Sequence, residues 1–209
     1  MKRADFPVKT PDEVKTSKTP ARAKKKDVSP YPDALVAFMM RSWKKREGGA
    51  PEPIRHVEAF ARRRRALSKR FPGETLVIPT GHEKVRANDT HYRFRPASDF
   101  FYLTGNLEPD CVLVLEPKAS GGHRDVLFVE PNPGRSDKTF FTDRNKGELW
   151  VGPRLGVPES KVRFGVHACR ALGDLPAYLK SLASAKARVL RGFSEGVEQI
   201  GRASCRERV

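Results

Sequence analysis

The amino-acid sequence predicts an α/β protein in which a mixed β-sheet is flanked by helices, with a disordered basic tail ahead of it. Three observations carry this prediction. Apolar runs such as Cys111–Leu115 and Asp125–Val129 are bounded by Gly, Pro or Asn, as buried strands are. Two segments nearer the start repeat apolar residues at helical spacing. The order along the chain, helix, several strands, helix, strand, then points to a sheet with helices packed on it.

Residues 1–30 hold nine basic and four acidic side chains and a single aromatic, Phe6. So little apolar area cannot offset the entropy of ordering, so this stretch is expected to be a disordered basic tail. Tyr31 to Arg46 reads as a helix, with Pro32 and Asp33 suited to its first turn and Leu35, Phe38, Met39 and Trp43 on one stripe. The run Gly48-Gly49-Ala50-Pro51-Glu52-Pro53 then breaks the chain. Residues 31–56 are thus an amphipathic helix and linker, and so short a helix needs the main body or a partner to dock on.

The main domain is expected over residues 57–199. It opens with a helix that puts Phe60, Leu67 and Phe71 on one face and the run Arg62-Arg63-Arg64-Arg65 on the other, and that ends at Pro72-Gly73. Thr75–Pro79, Phe100–Thr104, Cys111–Leu115 and Asp125–Val129 read as strands. Ser120-Gly121-Gly122-His123 makes a hairpin of the last two. Asp174 is the expected N-cap of a helix from Leu175 to about Ala185, with Pro176 in its first turn, and Ala187–Leu190 closes the pattern as a strand.

Composition narrows the function. The chain has 209 residues, a formal net charge of +16 and 38% hydrophobic residues, room for one domain plus extras. The longest wholly apolar run, Ala34–Met40, is seven residues, whereas a membrane span needs about 20. Lys44, Lys45 and Arg46 follow it in place of a small-residue cleavage site, so no secretory signal is read and a cytoplasmic location is expected. Cys111, Cys169 and Cys205 are widely spaced with no CxxC, which suggests neither a disulfide framework nor a zinc cage. Residues 41–74 carry eleven basic and four acidic groups. A nucleic-acid partner would use that field. No finger spacing, aromatic RNA-binding strand or helix-turn-helix signature accompanies it, so a solvated helix face is the favoured reading.

Four ordered blocks are more specific. They are Val85-Arg86-Ala87-Asn88-Asp89-Thr90-His91-Tyr92-Arg93-Phe94-Arg95, Ser98-Asp99-Phe100-Phe101-Tyr102-Leu103-Thr104-Gly105, Glu108-Pro109-Asp110-Cys111-Val112-Leu113-Val114-Leu115 and Glu148-Leu149-Trp150-Val151-Gly152-Pro153-Arg154-Leu155-Gly156. In this order and spacing they resemble the N-terminal domain of the Xaa-Pro aminopeptidase (aminopeptidase P, creatinase-like) family, over about Val57 to Leu190. The resemblance implies a mixed sheet flanked by helices that helps build a homo-oligomer and a substrate cleft. It also implies a following pita-bread catalytic domain with two divalent metals, usually manganese, held by carboxylates and a histidine. Such an enzyme removes the N-terminal residue of a peptide whose second residue is proline. A metal-bridged hydroxide is a suitable nucleophile for that hydrolysis, and proline's missing N–H and fixed φ give a shape that ordinary clefts reject.

That catalytic domain is not among these residues, so the chain by itself is expected to bind no metal and to be inactive. His56, His82, His91, His123 and His167 show no ligand grouping, and His167 with Cys169 has no third group to make a nucleophile. The resemblance implies two substrate-binding positions. Asp89 matches an acidic residue presented to the cleft near the substrate's α-amino group, and Trp150 matches a tryptophan that reaches a neighbouring subunit's active site. The alternatives are a loop cap for Asp89 and a hydrophobic anchor for Trp150. Pro153 departs from the family's commoner Arg-Arg, and no role is carried to Arg154. Residues 200–209 resemble the one-frame translation of a sequencing adapter, so the chain is expected to be an N-terminal part of the enzyme. A stand-alone binding or assembly module of the same fold is the alternative, with a nucleic-acid binder behind it.

Overall fold

The computed structural model describes residues 31–42, 51–87, 90–182, 186–193 and 196–199. The expected basic tail, Trp43 to Arg46, Asp89 and residues 200–209 lie outside them.

Five strands form one mixed sheet. These are β1 (Thr75–Pro79), β4 (Val112–Pro117), β5 (His123–Val129), β6 (Ala168–Ala171) and β7 (Ala187–Val189), in the order β6-β5-β4-β1-β7. β4 runs antiparallel to both β1 and β5, while β1–β7 and β5–β6 are parallel pairs. β2 (Val85–Ala87) and β3 (Thr90–His91) make a separate two-stranded hairpin. The central strands are apolar on both faces because both are covered. One face stacks Leu76, Ile78, Leu113, Leu115, Leu127 and Val129. The other stacks Val77, Val112, Val114, Val126 and Phe128. This is the continuous hydrophobic run that two-sided burial requires.

The first face is covered by α2 (Val57–Arg70), α3 (Ser98–Thr104) and α6 (Val157–Phe164). The second is covered by α7 (Leu175–Ser181), through Leu175 and Leu179, together with Val197. Two short helices, α4 (Thr139–Thr142) and α5 (Glu148–Val151), occupy the long connection from β5 to α6. α1 (Asp33–Ser42) precedes the domain, with Phe38 and Leu35 exposed and Tyr31 tilted against the Phe141 ring. None of these helices is long and apolar enough to cross a membrane, among the described residues.

Three elements differ from the sequence reading. Phe100–Thr104 is not a strand but the body of α3. Its buried residues Phe100, Leu103 and Thr104 fall at i, i+3 and i+4, so tertiary burial selects the helix over the β-propensity of an aromatic run. Gly105 ends it at φ 69°, and a Cβ there would lie 2.6 Å from Ile54 Cδ1 and from the Phe60 ring. α7 stops at Ser181, short of Ala185, and Asp174 makes no side-chain cap because a 3-10 turn over Leu172–Asp174 already leads into the helix. The arginine run of α2 is not uniformly solvated. Arg64 is 1% exposed, with its Nε donating to Asp125 Oδ2 (2.7 Å), Nη1 to the Leu103 carbonyl (3.0 Å) and Nη2 to the Gly165 carbonyl (2.7 Å).

Beside this pair, His123 is buried between Ser68 and the carbonyl of Glu74 (both 2.7 Å). The carbonyl can only accept, so Nε2 donates to it, while Nδ1 shares its hydrogen bond with the Ser68 hydroxyl. Glu74 binds Lys186 Nζ (2.7 Å) and Arg188, and these two cations hold its carboxyl down at about pKa 2. That bridge fastens the start of β1 to the edge strand β7.

Arg64→Met is expected to destabilise the fold by about 3–5 kcal/mol, because it takes the guanidinium from the buried Asp125 carboxylate, leaving it only the exposed His167 ring at 3.3 Å. Urea unfolding measures this. Arg64→Met/Asp125→Leu should regain part of the loss, and an equal or larger loss in the double variant would refute the pair's role.

Candidate functional site

The site is built on the connection from β5 to α6. Phe140 and Phe141, on α4, are buried and anchor it. Asp137 Oδ1 accepts from the Thr139 amide (2.8 Å) and hydroxyl (2.7 Å), bonds that hold its carboxyl below the usual range. Asp143 Oδ1 accepts from the amides of Asn145 (2.9 Å) and Lys146 (3.0 Å). Gly147 is fixed by space, since a Cβ would meet the carbonyl oxygens of Thr139, Phe140 and Asp143. Across the segment, Asn132 Nδ2 donates to Glu148 Oε1 and to the Arg154 carbonyl (both 2.9 Å). The Arg154 amide donates to the same Glu148 oxygen (2.9 Å), and its Nη1 donates to the Lys146 carbonyl (2.8 Å). An irregular segment so closed on itself is held in one shape.

Trp150 is presented by that scaffold. Its indole Nε1 donates to the Phe141 carbonyl (2.8 Å), and the Arg144 guanidinium lies 5.4 Å from the ring. The side chain is nevertheless 50% exposed, between Leu149 at 44% and Val151 at 47%. Three consecutive large apolar residues are thus left half exposed on this turn, more apolar surface in one place than scattered single residues would give. Asp89 connects β2 to β3 and lies outside the described residues. The strands on either side of it pair Val85 with His91 and Ala87 with Thr90, and Thr90 Oγ1 donates to the Ala87 carbonyl (2.7 Å).

Glu108 links the two regions electrostatically, and sequence reasoning assigned it nothing. Burial raises its pKa, Arg154 opposes that rise and Glu83 adds to it. Its only sequence signal is an acidic residue inside an otherwise turn-forming Asn-Leu-Glu-Pro-Asp stretch. Nearby, the His82 ring bridges the Asp110 carboxylate and the Phe193 carbonyl (2.8 Å) and stacks on Phe193 at 4.5 Å. Both partners are acceptors, so the ring satisfies both only as imidazolium, and the Asp110 bond followed by the Phe193 carbonyl raises its pKa.

Among the described residues, the donors do not fit a divalent-metal centre. No group of three or more His, Cys, Asp or Glu could hold an ion among the described residues. Burial pushes the Cys111 thiol far up and the Cys169 thiol to about 12, so neither is a ready thiolate ligand or nucleophile.

With this geometry in view, residues 60–190 match the family described as aminopeptidase P, N-terminal domain. The chain belongs to that family. This aminopeptidase P N-terminal domain is 40% identical over 190 residues to Xaa-Pro aminopeptidase 1 of Streptomyces coelicolor, a match covering 90% of this chain and 37% of the relative. It is 35% identical over 126 residues to Xaa-Pro aminopeptidase of Escherichia coli, covering 60% and 26%. A solved structure of E. coli aminopeptidase P superposes with a TM-score of 0.60 at 28% identity, over 74% of this chain and 33% of that one. A zinc-substituted E. coli aminopeptidase P in complex with product gives 0.59 over 75% and 33%. The domain thus spans about a third of the length of these relatives.

The His82 clasp has a defined pH signature. A raised folded pKa means that its stabilisation is complete below the unfolded value near 6.5 and is lost as pH rises through the folded one. The difference in Tm between the parent and His82→Gln should therefore shrink from pH 6 to pH 9. A pH-independent difference would contradict the imidazolium assignment.

Proposed function

We propose that this chain is the N-terminal, non-catalytic part of a metal-dependent Xaa-Pro aminopeptidase, which removes the residue preceding proline from the N-terminus of peptides. The observation that carries the reading is the 40% identity to an Xaa-Pro aminopeptidase over nine-tenths of the chain. The domain is bounded at residues 57–199, with the basic tail and amphipathic helix ahead of it. The two divalent metals, manganese on this reading, supply the hydrolytic nucleophile from the part of the protein beyond this chain, and the chain alone is inactive. Its own residues bind and orient substrate. Trp150, held by its indole N–H and half exposed, presents an apolar edge to a neighbouring subunit's cleft in a cytoplasmic homo-oligomer, with Leu149 and Val151 beside it. Asp89 supplies a negative charge near the substrate's α-amino group.

A chimera tests this. Residues 1–199 replace the matching region of S. coelicolor Xaa-Pro aminopeptidase 1, and release of the first residue from an Xaa-Pro peptide is followed with manganese present. The chimera is expected to be active and the isolated chain inert. Asp89→Asn keeps a turn-forming side chain while removing the charge, and Trp150→Ala removes the exposed ring. Each should lower kcat/KM by about tenfold or more, the scale of one lost transition-state contact. A folded chimera without activity overturns the enzyme assignment, and unchanged kcat/KM in both variants overturns the two substrate contacts.

A further inference from the structure

Between α2 and the edge strand β7 lies a cleft of about 870 Å³, within the range of ~300–1,000 Å³ typical of small-molecule sites. Its origin is legible in α2. Ala59 and Ala66 face the cleft seven residues apart, where a helix packed on a sheet would ordinarily place larger apolar side chains. The floor beneath them is apolar, made by the buried Leu76, Ile78 and Leu103, with Leu67 and Leu190 at its sides.

The rim is cationic. Four arginines line the cleft, at 62, 63, 70 and 188, against one carboxylate, Asp99. Two of the four are engaged. Arg188 binds Glu74 and lies 4.9 Å from the Phe71 ring. Arg63 donates to the Tyr102 carbonyl (3.1 Å) and lies 4.3 Å from the Tyr102 ring. Arg62 and Arg70 have neither a hydrogen bond nor an acidic partner among the described residues, and they sit about 12 Å apart along the helix axis. An apolar floor below unpaired guanidinium groups is complementary to one kind of occupant. The floor favours a hydrocarbon body, and the guanidinium fork pairs with a carboxylate through charge-assisted hydrogen bonds.

We infer that the α2–β7 cleft is a binding site for an amphiphilic carboxylate, an anionic head on an extended apolar body, with Arg62 or Arg70 holding the head and the Leu67–Leu76–Ile78 floor taking the body. This site is separate from the Trp150 surface, and it stands or falls independently of the peptidase reading.

Dodecanoate, below its micelle concentration, is the probe, added to the full 209-residue chain. Calorimetry reads affinity, and amide shifts of Leu67, Tyr102 and Leu190 read location. One saturable site is expected, with shifts confined to the cleft, and neither acetate nor dodecyltrimethylammonium should reproduce it. Arg62→Gln/Arg70→Gln, which keeps polar side chains on the helix surface, should weaken dodecanoate by about tenfold or more, as loss of a charge-assisted hydrogen bond does. Ala66→Leu should weaken it by filling the cleft while both cations remain. The inference is overturned if dodecanoate does not saturate, if the cationic detergent binds equally, or if shifts fall elsewhere. Unchanged affinity in the folded double-Gln variant overturns it as well.

Discussion

The buried contact between Arg64 and Asp125 is the constraint on which the rest of the domain depends. A guanidinium withdrawn from water is tolerated only when its donors are used. Here they reach β5 through Asp125, the end of α3 through Leu103 and the turn after α6 through Gly165. Those three anchors fix the height and rotation of α2 over the sheet. The position of α2 in turn sets Gly105 against the Phe60 ring and leaves Ala59 and Ala66 above open space. The interaction is therefore less a source of net stability than a device that selects one packing of helices on the sheet.

The Trp150 segment solves a different problem. It contains little regular structure, yet it must hold a large aromatic side chain half out of the protein. Asn132, Glu148 and Arg154 close the two ends of the loop on each other, and Phe140 and Phe141 pin its middle to the core. Preorganisation of this kind lowers the ordering cost of any contact the tryptophan makes. The ring stays half exposed, between the exposed Leu149 and Val151, while its indole N–H is held by the Phe141 carbonyl.

Charge in this protein has three distinct uses, which a net value of +16 conceals. Arg64 is structural and interior. Arg63 and Arg188 lie against aromatic rings and hydrogen-bond to a carbonyl or carboxylate. Arg62 and Arg70 face the cleft without acidic partners among the described residues. The basic composition of α2 is therefore not one solvated stripe, and its separate fates follow from which neighbours each position meets.

The sequence alone determined the apolar strands β1, β4 and β5, the β4–β5 hairpin, the extent of α2 and the family. These rest on local pattern: runs of apolar residues, turn-forming glycines and four ordered blocks that stay adjacent in the chain. It also singled out Trp150 from its block, though not the bond that orients it. Only the tertiary structure decided that Phe100–Thr104 is helical, that Arg64 points inward while its neighbours do not, that Glu108 is partly buried, and that His82 clasps Asp110 and Phe193. Each of these depends on partners far apart along the chain, 61 residues for Arg64 and Asp125 and 111 for His82 and Phe193. No local window contains both members of such a pair. Burial and hydrogen bonding act on what the fold brings together, so these features have no signature until the chain has folded.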